Sequence, residues 1–214
     1  MPSAIFSHQA PVLILKIKYP DKFDGTALCI STFAPDLTAL IDPFLPFTLR
    51  GISHSFLGLL YYTLPLTLLL VVLFRRKILP YLSQIAKKDG KLSKPLNYLG
   101  IDDWDNLKNK KYDRKSLIII IYSAIVGGFT HLLLDLPSHE YIELFFPWVI
   151  LQNPQILLYS LVQWQSYNLT IFDLIWIIES LITLVITIYF FRYIKKNKLI
   201  NKWYEETELN KKIQ

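Results

Sequence analysis

Three stretches of about twenty apolar residues fix the solvent in which this chain folds. Residues 55–74, SFLGLLYYTLPLTLLLVVLF, carry no charge over 20 positions. A helix of that length crosses the roughly 30 Å hydrocarbon layer of a bilayer. Residues 116–136, SLIIIIYSAIVGGFTHLLLDL, are apolar apart from His131 and Asp135. Residues 171–191, IFDLIWIIESLITLVITIYFF, are interrupted only by Asp173 and Glu179. One such run suits a buried core helix, but three predict transmembrane helices. The expected fold is therefore all-α: an integral membrane helical bundle with about three full spans plus re-entrant or interfacial helices. Its expected location is the cell membrane. With 7 Gly, no internal repeat and no low-complexity tract, the 214 residues read as a single membrane domain, 1–214. The lone Cys29 excludes an internal disulfide framework and a Cys-rich zinc site.

Charge sets the orientation. Residues 75–115 hold twelve Lys/Arg against five Asp, and the tail 192–214 is also Lys-rich, so both are expected in the cytoplasm. The span 55–74 then runs inward, 116–136 outward and 171–191 inward again. Residues 137–170 must start and finish outside. The apolar stretch 143–164, broken by Pro147 and Pro154, is accordingly expected to be re-entrant or interfacial. Residues 1–54 show no secretory signal and no run long enough to span, so they read as short half-buried helices. Lys16, Lys18 and Lys22 pull this segment toward the cytoplasm. The loop 75–115 reads as a solvated connector, with attraction to anionic headgroups or a partner contact as the alternatives. Its basic residues lack the aromatic pattern of a nucleic-acid binder, so membrane lipids are the expected partners and nucleic acid is not.

Ionisable groups inside apolar runs are costly, which singles out GGFTHLLLDLPSHE at 127–140. His131 and Asp135, spaced four apart, share one helix face, and His139 follows beyond Pro137. His54 lies just before the same end of the first span. Three histidines and an aspartate thus meet at one membrane level. Imidazole and carboxylate are the usual ligands of zinc and related divalent ions. Spacing alone leaves two readings open: a metal site, and a hydrogen-bonded His–Asp pair bridging helices.

The chain resembles an uncharacterised membrane-protein family, domain of unknown function 4184. The resemblance rests on MPSAIFSHQAPVL (1–13), FAPDL (33–37), RGISHSFLGLL (50–60) and GGFTHLLLDLPSHE (127–140), in matching order. A more distant likeness is to LexA-regulated membrane-bound metal-dependent hydrolases and zinc-dependent phospholipase C. It implies His8, Asp36, His54, His131 and Asp135 as metal-site positions, with His139 from the closer family only. The chain departs from the distant pattern after Pro35-Asp36, which is followed by Leu37-Thr38-Ala39, and at Leu49, where that pattern has His. These losses reduce the expected cluster to one metal, or to two with His139.

The leading functional expectation is a membrane-bound metal-dependent hydrolase acting on a lipid or lipid-linked phosphoester. Zinc is the expected metal, with manganese as the other candidate. Arg50 is the candidate oxyanion stabiliser, and Glu140 or a non-ligating Asp the candidate general base. Two alternatives stand beside it. One is a non-enzymatic protein with a structural His/Asp or metal clamp. The other is a small-solute or ion carrier using Asp173 and Glu179.

Overall fold

The computed structural model describes residues 8–88, 90–110, 112–138, 141–152, 154–164 and 167–203. Two short helices, α1 (Gln9–Lys18) and α2 (Gly25–Ser31), precede a 3₁₀ turn (Pro35–Leu40) and the single turn α3 (Arg50–Ser53). The long α4 (Phe56–Lys87) follows. A short α5 (Ser93–Tyr98) and a 3₁₀ segment (Ile101–Asn109) lead into α6 (Arg114–Ser138). Two antiparallel hairpins come next, β1 (Tyr141–Phe145) with β2 (Val149–Gln152) and β3 (Ser160–Trp164) with β4 (Tyr167–Thr170). The last long helix is α7 (Ile171–Lys196).

The helical membrane bundle is as expected: α4, α6 and α7 are long enough to span, each with a mean hydropathy of 2.2. Their ends differ from the sequence reading. Helix α4 does not stop at residue 74 but continues to Lys87, because no helix-terminating glycine intervenes. Its extra turns bury Leu79, Ser83 and Ala86. The 3₁₀ segment packs alongside, burying Ile101 and Leu107. The 75–115 region is therefore largely a packed helical cap rather than a loose connector. Residues 141–170 form hairpins where interfacial helices were expected. Pro147 and Pro154 forbid a continuous helix, and the short apolar runs between them pair as strands. Asp173 is no intramembrane ion site. It closes a capping box at the start of α7, its carboxylate accepting from the Thr170 N–H at 2.9 Å.

The N-terminal segment supplies what the sequence placed elsewhere. Helices α1 and α2 form a helical hairpin about 15 Å long, half the hydrocarbon thickness. Val12, Ala27 and Leu28 are fully buried, and α2 lies between α4 and α6. This is a re-entrant unit, deeply packed rather than half-buried. Its non-helical turn, at the basic end of the bundle, finds charged partners for its backbone and for Asp24. The Lys16 ammonium donates to the Pro20 and Phe23 carbonyls at 2.6 and 2.9 Å. Asp24 caps α2 through the Ala27 N–H, and its own N–H donates to Ser123 Oγ at 2.9 Å. Arg75 and Lys110 both pair with the Asp24 carboxylate. The lysines of α1 therefore sit toward the basic end of the bundle while His8 sits at the other. The pull of those lysines and the position of the histidine are compatible.

Candidate metal centre

Five side chains from four separate segments converge at the end of the bundle away from the lysines. His8 enters just before α1, and Asp36 from the first turn of the 3₁₀ segment. His54 caps the C-terminus of α3, and His131 and Asp135 share one face of α6. The approach of α2 to α6 depends on Gly127. A Cβ there would lie 2.1 Å from Ser31 Oγ and 2.5 Å from the Leu28 carbonyl oxygen. The glycine lets the two helices close up, one turn before His131.

The ligand atoms are tightly gathered. His54 Nε2 stands 3.3 Å from His131 Nε2, 3.3 Å from Asp36 Oδ1 and 3.4 Å from Asp135 Oδ2. His131 Nε2 is 3.3 Å from Asp135 Oδ2 and 3.8 Å from Asp36 Oδ1. His8 Nε2 lies 3.6 Å from Asp135 Oδ1, its ring edge-on to His131 at 4.7 Å between centroids. Four ligands at zinc distances in a tetrahedron stand about 3.3 Å apart. The observed spacings match that figure along most edges.

The surroundings orient these atoms. His54 Nδ1 donates to the Arg50 carbonyl at 3.2 Å and lies 2.8 Å from Ser53 Oγ. A carbonyl only accepts, so Nδ1 carries the proton and the Nε2 lone pair faces the centre. The Thr32 backbone meets the His131 ring. Asp36 Oδ2 is buried with no hydrogen-bond partner among the described residues. Imidazole nitrogens and carboxylates thus crowd one point, a donor set that could hold a divalent ion. His131 and Asp135 are closed off, with side-chain exposures of 0% and 2%, while His8 at 13% and Asp36 at 19% form the open side.

Five of the six sequence-predicted ligands are therefore brought together. His139 and the proposed base Glu140 lie outside the described residues. Arg50 contributes its backbone carbonyl, and its guanidinium makes no ion pair among the described residues. One nearby group was not singled out for this site. The Glu143 carboxylate, on β1, packs onto Gly51, where a Cβ would come within 1.9 Å of Oε2. Ser53, the hydroxyl residue directly before His54, braces its ring. Glu179, flagged for the carrier reading, is half-buried on α7 within electrostatic reach of Asp135.

A family model described as a domain of unknown function (DUF4184) matches residues 1–207. No curated protein and no solved structure matches the chain.

Proposed function

The chain belongs to the DUF4184 family, and from that premise we propose that it is a membrane-bound, metal-dependent hydrolase of lipid or lipid-linked phosphoesters. The observation that carries this reading is the gathering of His54, His131 and the two aspartates, with His–His and His–Asp distances of 3.3 to 3.8 Å. The donor set fits zinc, with manganese second. One ion fits better than two. His131 has a single lone pair directed at the centre and belongs to both potential ligand triplets.

When bound, the metal would supply a Lewis acid and an acidified water. The remaining roles fall to the chain. His54, His131 and Asp135 hold the centre rigidly from the closed side. Asp36, on the open side, offers Oδ2 as acceptor for a proton leaving the water. Ser53 and the Arg50 carbonyl keep His54 in the tautomer that leaves Nε2 free. Exposed apolar side chains near this end, Leu40, Phe44, Phe47 and Trp148, favour a substrate that arrives from the lipid layer. The motif likeness to metal-dependent hydrolases supports the reaction class.

The enclosure of His131 and Asp135 favours a second reading, a metal clamp that joins four segments without catalysis. Metal analysis of purified protein, followed by assays on phospholipids before and after chelation, decides between them. The hydrolase reading expects stoichiometric metal and activity that chelation removes and zinc or manganese restores. Bound metal with no cleavage of any phosphoester supports the clamp, and absence of metal at saturating zinc rejects both.

A further inference from the structure

At the opposite end of the bundle, the end of α4 and the following α5 line an open cleft of about 400 Å³, with Lys87, Lys88, Ser93, Lys94, Asn97 and Tyr98 along its wall. Its charge balance is one-sided. Lys87 pairs with Asp105 at 3.0 Å and Lys195 with Asp102 at 3.6 Å. Lys88, Lys94 and Arg192 make no ion pair among the described residues, and Arg192 lies over the Tyr98 ring at 4.6 Å. The cleft therefore holds surplus positive charge beside exposed polar donors.

Its depth follows from α7. The apolar run of that helix ends at Phe191, so Arg192 and Lys195 mark the level of the headgroups. Lys195 Nζ donates to Asn97, and Arg192 touches Tyr98, which places the cleft at that level. Leu92 and Tyr98 are exposed there at 71% and 51%. A soluble anion has no use for such apolar neighbours, whereas a phospholipid meets both the cations and the apolar rim.

We propose that this cleft binds the phosphate-bearing headgroup of an anionic phospholipid. The site is independent of the His/Asp centre and needs no metal. Its test uses the full chain in neutral detergent, titrated with phosphatidylglycerol or phosphatidylcholine, with bound lipid counted by native mass spectrometry. Phosphatidylglycerol is expected to bind in preference. The double substitution Lys88→Gln/Lys94→Gln should weaken it about fivefold per lysine. The matched pair Lys77→Gln/Lys115→Gln, outside the cleft, should change binding less than about twofold, the sequence-independent share of surface charge. Melting temperatures of both variants confirm the fold. Equal retention of the two lipids, or equal loss in the two double variants, overturns the proposal. Displacement of phosphatidylglycerol by inorganic phosphate also overturns it, because the cleft would then take free anions.

Discussion

Two imidazole lone pairs and two carboxylates directed at one point repel one another unless a cation lies among them. The energetic weight of the centre therefore rests on single atoms. Removing His131, which belongs to both ligand triplets, is expected to abolish tight zinc binding. His54→Ala should have a comparable effect. Ser53→Ala leaves every ligand in place but releases the His54 ring, and loss of such an orienting partner costs about 10–100-fold in affinity. Competition with a chelating dye measures all three. Unchanged zinc affinity in the His54→Ala/His131→Ala double variant would remove the basis for the centre. A second residue-scale prediction concerns Lys16. Burial, reinforced by the Lys110 charge, lowers its ammonium from 10.5 to about 8. Between those values the unfolded chain holds the proton and the folded chain does not, so stability rises as pH goes from 8 to 10.5. Below 8 the penalty is present in full. The melting temperature should climb over that window, and Lys16→Met should flatten the climb. An identical slope in both proteins would show that Lys16 is not the titrating group.

The re-entrant hairpin of α1 and α2 is the element on which the site depends, because it carries His8 at one end and leads to Asp36 at the other. Asp24 fastens its far end. Burial pushes that carboxyl up, but the Arg75 and Lys110 charges and hydrogen bonds more than reverse this and hold it well below the usual carboxylate range. Asp24→Asn leaves buried cations without their counter-ion, a change that costs about 3–5 kcal/mol in other buried pairs. The thermal midpoint should fall sharply. Replacing Asp24 and Arg75 together by Leu and Met should recover part of the loss, and no recovery would mean that the pair is not the origin of the effect. Gly127→Val should act on the same element from the α6 side, since backbone at Leu28 obstructs any Cβ. It should lower both stability and bound metal. Little of this hairpin was legible in the sequence. Its helices are too short to stand out by hydropathy, and Lys16 mimics a solvated residue because its partners are backbone carbonyls four and seven residues along the chain. The spans were legible because length and composition suffice for them. The ligands were legible because His and Asp in apolar surroundings need partners. The strands at 141–170 were hidden because short apolar runs between prolines fit either strand or interfacial helix, whereas Glu143 carried no spacing signal at all.

At the scale of the whole molecule, the contacts fix which ends belong together without appeal to charge. Lys195 at the end of α7 bonds Asn97 in α5, and Lys16 lies over the Trp203 ring at 4.8 Å. The basic cap, the tip of the re-entrant hairpin and the end of α7 therefore occupy one face. His8, Asp36, His54 and Asp135 meet at the other, where β1 packs against α3 and α6. Three crossings by α4, α6 and α7, with a hairpin that enters and leaves on one side, reconcile both sets of contacts. The positive-inside rule then predicts the basic face on the cytoplasmic side. Cysteine labelling in sealed vesicles tests the arrangement at Leu92 and Tyr159, both well exposed at 71% and 67%. The native Cys29 gives little background, because burial pushes its thiol up to about 12 and the thiolate is the reactive form. A membrane-impermeant maleimide added from the cytoplasmic side should modify Leu92→Cys and spare Tyr159→Cys. Added from the outer side, it should do the reverse. Exchange of the two patterns would keep the fold and invert its orientation, moving the His/Asp centre to the cytoplasmic leaflet. Modification of both positions from one side would mean that α6, the one span between them, does not cross, and the three-span bundle would fail with it.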